Sequence, residues 1–337
     1  ENERLQRERL GDLAVFERLH GNPSKTCPDL AVKKFCRTIS TKEIRPSDVR
    51  PLRTLEDTLS HLLRLLDSSD HPFETVHDFI FDRTRSIRQD LSMQNITNGR
   101  AVAILEKVVE FHVISLNKLP RCGKGADLSS ARHLNMEQLG KSMSTLYSLY
   151  DKNRRSHLCH QKESEFRSLH VLLHLDDNAQ PLGEQISLWF RRVPCSVLYT
   201  KEMAFARSAL RFFRLGYYKQ FLTKVASEAS HLQYCVLEPY IYQARVSCLS
   251  CINSAGYKLH PYSISYLAEL LMMKEADLEE LCRSCGLAMT ADEAGNKTLQ
   301  AKQSSFAFPK GGLQEHMFSE LEQFITGREQ LKLASQV

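Results

Sequence analysis

No window of this chain approaches the roughly 18 uninterrupted apolar residues that a membrane-spanning helix needs, so such a helix is excluded. Nucleotide-binding loops are missing as well. Gly123-Lys124-Gly125 has neither the spacing ahead of its Gly-Lys pair nor the following Ser or Thr of a phosphate loop. No Ser-His-Asp or Cys-His spacing stands out, no residue takes a recognisable catalytic role, and the chain reads as a non-enzyme without a cofactor. A strong charge of one sign is also lacking. The net charge of +5, from 45 basic and 40 acidic residues, permits a local basic patch but does not describe a polycationic binder. The opening residues, ENERLQRERL, are the opposite of a signal peptide's apolar region. Ten cysteines are few for 337 residues, and they read as reduced thiols of a nuclear or cytosolic protein.

What is present is helical periodicity. The length suggests about two domains, and a composition 42% hydrophobic and 25% charged is that of a globular protein. Leucines at 52, 55, 59, 62, 63 and 66 recur at intervals of three and four, which predicts a helix. Further helices are expected over 100–119, where Leu105, Val108, Val109, His112 and Leu116 share a face, and over 134–150, 162–175, 184–192, 196–214 and 217–229. Residues 120–133 read as a loop. Helix after helix with short connections implies stacked helical hairpins, a TPR-like α-solenoid, over residues 1–232. Beyond it, helices over 240–255, 263–272 and 275–285 precede strands at 287–290 and 299–308, flanking the turn Ala294-Gly295-Asn296. This order implies a winged helix over 233–309. Lys310-Gly311-Gly312 closes it, and residues 313–328 read as an amphipathic helix with Met317, Leu321, Phe324 and Ile325 on one face, within a C-terminal segment 310–337.

The segment VHDFIFDRTRSIRQDL, residues 76–91, is the most distinctive. Val76, Ile80, Ile87 and Leu91 stack on one side of a helix, while Asp78, Asp82, Arg83, Arg85, Arg88, Gln89 and Asp90 crowd the other. Such a face is either a packed ion network, with Asp82 and Arg85 spaced to pair, or a surface for an external partner. Arg88 has no acidic residue three or four positions away and is the arginine expected to look outward. The same wording, with LQRERLGDLAVF at 5–16, LAVKKFCR at 30–37 and ALRFFRLGYYKQFLTK at 209–224, resembles the SAC3/GANP family of nuclear mRNA-export scaffolds.

Three other constellations carry chemistry in principle. Cys248-x-x-Cys251 and Cys282-x-x-Cys285, the second followed by Gly286, match zinc-ligand spacing, although two expected helices intervene and cysteine is also a common core residue. His157, Cys159, His160, His170 and His174 cluster, with the last two four apart; the glutamate of a zincin is absent. Basic and aromatic residues interleave over 207–224. There Arg207, Arg211, Arg214 and Lys219 suit phosphate, while Phe212, Phe213, Tyr217 and Phe221 either stack on bases or pack as core. Lys297 and Lys302, on the expected wing, are further candidates for nucleic-acid contact, as is Arg88.

The resemblance implies a PCI-like fold and a nuclear location, with cytoplasm also allowed. It implies pairing with another PCI-domain protein and a small acidic peptide subunit, RNA being bound by the assembled complex. Pairing would use the winged-helix end, where Tyr266, Leu267, Leu270, Leu299 and Phe306 are the expected contacts. The family carries a Cys-Pro motif just ahead of the point where this sequence begins, so a trimmed N-terminus is expected. No Phe-Gly repeat or long centrin-recruiting helix lies within these residues, which leaves tethering to the nuclear pore open. Two alternatives remain: a structural interaction protein of the centrosome or spindle, and a PCI subunit of another large assembly.

Overall fold

In a computed structural model the chain is mainly helical, as its apolar spacing predicts. The structure describes residues 2–38, 45–68, 70–122, 126–156, 160–176, 185–291 and 295–309. The expected helix at 313–328, the Lys310-Gly311-Gly312 closure, Gly123–Gly125, Ala294, His157 and Cys159 lie outside the described residues. Two compact units are present: residues 1–122 with 141–159, and residues 123–140 with 160–337.

The first unit starts with α1 (Asn2–Leu10), followed by 3-10 turns at Val15–Glu17, Leu19–Gly21 and Pro46–Asp48. Then come α2 (Leu52–Ser68), α3 (Phe73–Met93), α4 (Gly99–Lys118) and the later part of α5 (Ala126–Arg155). Leu55, Leu59 and Leu62 of α2 pack against α3, whose Val76, Ile80, Ile87 and Leu91 are all buried. Asn98 caps α4 by accepting from the backbone N–H groups of Arg100 and Ala101, both at 3.1 Å. His112 is a core residue of α4, edge-on to Phe81 at 5.9 Å. Helix α5 starts eight residues ahead of the expected 134 because Gly125 is the last helix breaker before it.

The second unit contains α6 (Glu163–Leu172), α7 (Ile186–Arg192), α8 (Cys195–Leu198), α9 (Lys201–Arg214), α10 (Tyr218–Glu228) and α11 (His231–Ala255). The helix expected over 196–214 is split. Thr200 breaks it, its hydroxyl donating to the Val197 carbonyl at 2.8 Å and accepting from Met203 N–H at 3.4 Å as the cap of α9. Helix α11 begins well before residue 240, because Ser230 and Gln233 form a reciprocal capping box; Pro239 is accommodated inside it.

The same unit ends in β1 (Tyr262–Ser263), α12 (Ile264–Leu271), α13 (Glu275–Ser284), β2 (Met289–Ala291) and β3 (Lys297–Leu299). The sheet is antiparallel in the order β1-β3-β2, with Tyr262 and Met289 flanking Leu299. The second strand of the hairpin is displaced from the expected 299–308, and Asn253 of α11 is the cause. Its carbonyl accepts from Lys302 N–H at 2.8 Å, and its side chain exchanges two 2.9 Å hydrogen bonds with the Gln303 backbone, drawing the chain out of the ladder. Arg245, 2% exposed, ties α11 to α12. Its guanidinium donates to the carbonyls of Leu271 at 3.0 Å and Met272 at 2.6 Å, where Met272 closes α12 in the left-handed region.

Candidate interaction surfaces

The charged side of α3 is occupied by the chain's own N-terminal segment. Glu17, fully buried, accepts from Arg7 Nη1 at 2.9 Å, Arg83 Nη2 at 2.9 Å, and the backbone N–H groups of Val32 at 3.0 Å and Ala14 at 3.2 Å. Burial pushes this carboxyl up, but the Arg7 hydrogen bond and the Arg83 charge outweigh it and hold the group below its usual range. Asp90, also fully buried, receives Lys33 Nζ at 2.6 Å and Arg50 Nε at 2.8 Å. Gln89 donates to the Cys36 carbonyl at 2.8 Å, and Asp82 accepts from Phe35 N–H at 3.1 Å. Asp82 pairs with Arg83 at 2.5 Å instead of with Arg85, whose guanidinium lies 3.9 Å over the Phe35 ring. Arg88 does not look outward. It is half-buried, and burial together with the Arg85 charge lowers its pKa to about 10.

A different surface is open on α9. Lys201, Ala204, Arg207, Arg211 and Leu215 recur at helical spacing and are exposed. Tyr199, 83% exposed, precedes this face, and Tyr217 follows it after the turn at Gly216. Among the described residues Arg207 and Lys219 have no ion-pair partner. Phe212 and Phe213 are half-buried and Phe221 fully buried, so most of the aromatics pack while the cations remain outside. Arg214, also exposed, donates to the carbonyls of His174 at 2.7 Å and Leu175 at 3.2 Å, in the segment that follows α6. Lys297 of β3 pairs with Glu279 at 2.5 Å, Lys302 donates to the Ser254 carbonyl, and both lysines are exposed.

At the C-terminal end, Tyr266 is exposed and Leu270 and Phe306 are half-exposed. Leu267 and Leu299 correct the expected interface: both are buried, Leu299 because β3 is the central strand and not an edge. Tyr257 and Leu259, at 76% and 89% exposure, project just ahead of β1.

The model of the SAC3/GANP family matches residues 1–291, a span that takes in the α3 network, the α9 face and the terminal module as far as β2. The chain belongs to the SAC3/GANP family. It is 33% identical over 298 residues to SAC3 family protein B of Arabidopsis thaliana, covering 87% of this chain and 17% of that protein. It is 31% identical over 280 residues to SAC3 family protein 1 of Schizosaccharomyces pombe, covering 77% of this chain and 26% of that one. Against Protein xmas of Drosophila melanogaster the identity is 27% over 317 residues, covering 89% of this chain and 14% of the relative. The chain therefore spans about a quarter or less of the relatives it matches.

In this SAC3/GANP chain the residues of the metal-like spacings sit in unlike surroundings. Cys282 and Cys285 are fully buried, burial pushing the first thiol up to about 12 and the second upward; Cys248 is pushed up to about 11, again chiefly by burial. Cys251 is exposed, and among the described residues no three His, Cys, Asp or Glu side chains converge as a metal site. Gly286 serves the backbone: its φ is +71°, and a Cβ there would strike the Ser305 carbonyl. His170 and His174 stack face to face at 4.6 Å, and His170 stacks on Trp189 at 4.2 Å, so ring faces converge rather than nitrogens. Sequence reading missed Arg7, Glu17, Lys33 and Arg50, because their partners lie 10 to 66 residues away and leave no local spacing. Tyr199, Tyr257 and Leu259 were missed because a single apolar residue between helices carries no period.

Proposed function

We propose that this chain is a non-catalytic scaffold of a nuclear mRNA-export assembly, with residues 1–232 as a helical-hairpin array and residues 233–309 as a winged helix. The short α12 and α13, followed by the β2–β3 hairpin with β1 completing the sheet, support the winged-helix reading. The module pairs side by side with another PCI-domain protein, with a small acidic peptide subunit in the assembly. The contacts on this side are Tyr266, Leu270, Phe306 and the exposed sheet edges at β1 and β2. RNA then binds across the pair.

The observation that carries the reading is the α9 face: Arg207 and Arg211, without ion-pair partners among the described residues, bounded by exposed Tyr199 and Tyr217, on a chain whose Arg83 and Asp90 on α3 are engaged internally. Cations neutralise phosphate and aromatic faces stack on unpaired bases, which suits single-stranded RNA. Binding of a fluorescent oligouridylate to the chain assembled with its PCI partner tests this. Arg207→Glu with Arg211→Glu should weaken binding and lower the salt slope by about two. An unchanged affinity and slope would remove α9 from the RNA path.

A further inference from the structure

Helix α9 ends in a turn that holds one aromatic ring at the end of its open cationic face. Gly216, in the left-handed region at φ +73°, lets the chain fold back, so that its N–H donates to the Phe213 carbonyl at 3.2 Å and the Tyr217 N–H to the Phe212 carbonyl at 2.9 Å. These two bonds make a Schellman motif, in which the residue after the glycine commonly packs on an apolar residue of the last turn. Tyr217 does so: its ring centroid lies 6.4 Å from that of Phe212, at 55°. The packing is one-sided, because Tyr217 stays 50% exposed and Leu215 58%. The Arg211 guanidinium lies 5.4 Å from the centroid of the same Phe212 ring, and exposed Lys219 follows two residues after Tyr217.

The turn is anchored from behind. Phe213 lies edge-on to Phe221 at 5.3 Å and to Tyr240 at 5.4 Å, so the backbone that presents Tyr217 is fixed to α10 and α11. Tyr199, at the other end of the face, is 83% exposed and has no ring neighbour among the described residues. A ring already held against a neighbour loses less rotamer freedom when a ligand stacks on it, which favours Tyr217 over Tyr199 as a binding platform. A half-exposed ring with a cation on each side in sequence suits a flat uncharged group joined to anions, which is an unpaired base in a nucleic-acid strand. An acidic peptide would engage the cations and leave the ring without a use.

We propose that Tyr217, backed by Phe212, is a base-stacking platform that takes one unpaired base of a single strand while Arg211 and Lys219 hold the adjoining phosphates. The platform deepens the reading of α9 as an RNA face and rests on it. It also divides the work of that face. Arg207 and Arg211 attract any strand through its phosphates, and Tyr217 makes the site prefer strands whose bases are free to stack.

Two probes test it on the chain assembled with its PCI partner: an oligouridylate, and the same ribose-phosphate chain without bases. Both carry the same phosphates, so only stacking separates them. Wild type should prefer the oligouridylate, and Tyr217→Ala should weaken that probe about tenfold while leaving the base-free probe and the salt slope unchanged. Tyr217→Phe keeps the ring and should bind as wild type does, which controls for damage to the turn. Tyr199→Ala should cost less than Tyr217→Ala. Equal binding of the two probes by wild type, an equal loss for both in Tyr217→Ala, or a larger loss in Tyr199→Ala would overturn the platform and leave the phosphate-binding reading of α9 standing. Binding of neither probe, or of a polyglutamate peptide in their place, would remove the RNA reading and the platform together.

Discussion

Replacing Glu17 by Gln keeps the shape of the side chain and deletes the charge that both Arg7 and Arg83 face. Those arginines are 6% and 3% exposed, so neither regains much water when its partner goes. Removing one member of a buried pair generally costs about 3–5 kcal/mol. Asp82, 2.5 Å from Arg83, and Asp12, 3.9 Å from Arg7, retain part of the attraction, which places the loss near the lower bound, about 3 kcal/mol. That is about a hundredfold in the opening equilibrium of the N-terminal segment. Hydrogen exchange reads it directly, because the Val32 and Ala14 amides donate to Glu17. Their exchange should accelerate about a hundredfold in Glu17→Gln and further in Glu17→Ala, while amides in the middle of α4 change little. A change under about threefold at Val32 in both variants would refute the view that this carboxylate latches the segment to α3. The pH dependence has a defined sign. Glu17 sits below its ordinary value of 4.5 in the folded chain, so its contribution is complete above that value and is lost as pH falls through the depressed pKa.

Burial, then His174, Arg167 and Arg192, lower the His170 pKa from 6.5 to about 2. An unfolded chain therefore takes up a proton that the folded one refuses, and stability should fall below pH 6.5 by roughly 1.4 kcal/mol per unit; His170→Phe, which preserves the Trp189 stack, should flatten that slope in urea titrations at pH 7 and 5. Arg245→Met leaves the Leu271 and Met272 carbonyls without their buried donor and should destabilise the terminal module by about 3 kcal/mol, seen as faster exchange in α12 with α6 unaffected. Cys282 and Cys285 should resist iodoacetamide at pH 8 in the folded chain while exposed Cys195 and Cys251 react; alkylation of all four at one rate would contradict the burial described.

The elements most legible in the sequence are those whose partners lie on the same helix. The leucines of α2 and the apolar stripe of α3 declare their buried sides because a helix repeats its own environment every three or four residues. The charged side of α3 carries the same periodicity but not the identity of what covers it. Arg88 looks unpaired along its helix and is nonetheless half-buried, and Asp82 turns to Phe35 and Arg83 instead of Arg85. The α9 cations are legible as a stripe, yet only tertiary structure shows that Arg214 is tied to the His174 carbonyl while Arg207 has no ion-pair partner among the described residues. The spacing of two cysteine pairs and a following glycine does not reveal that Cys282 and Cys285 are buried while Cys251 is exposed, or that Gly286 abuts the Ser305 carbonyl. Strand β3 ends early because a side chain fifty residues away, Asn253, offers its backbone better partners than the ladder does.

We propose that this SAC3/GANP-family chain organises an RNA-bearing complex by pairing with a second PCI protein. Affinity capture of the tagged chain from nuclear extract, with and without ribonuclease and with ultraviolet cross-linking, tests it most directly. The expected result is a PCI-domain partner that stays bound after ribonuclease, together with cross-linked RNA. Centrosomal or spindle proteins alone, with neither a PCI partner nor RNA, would contradict it.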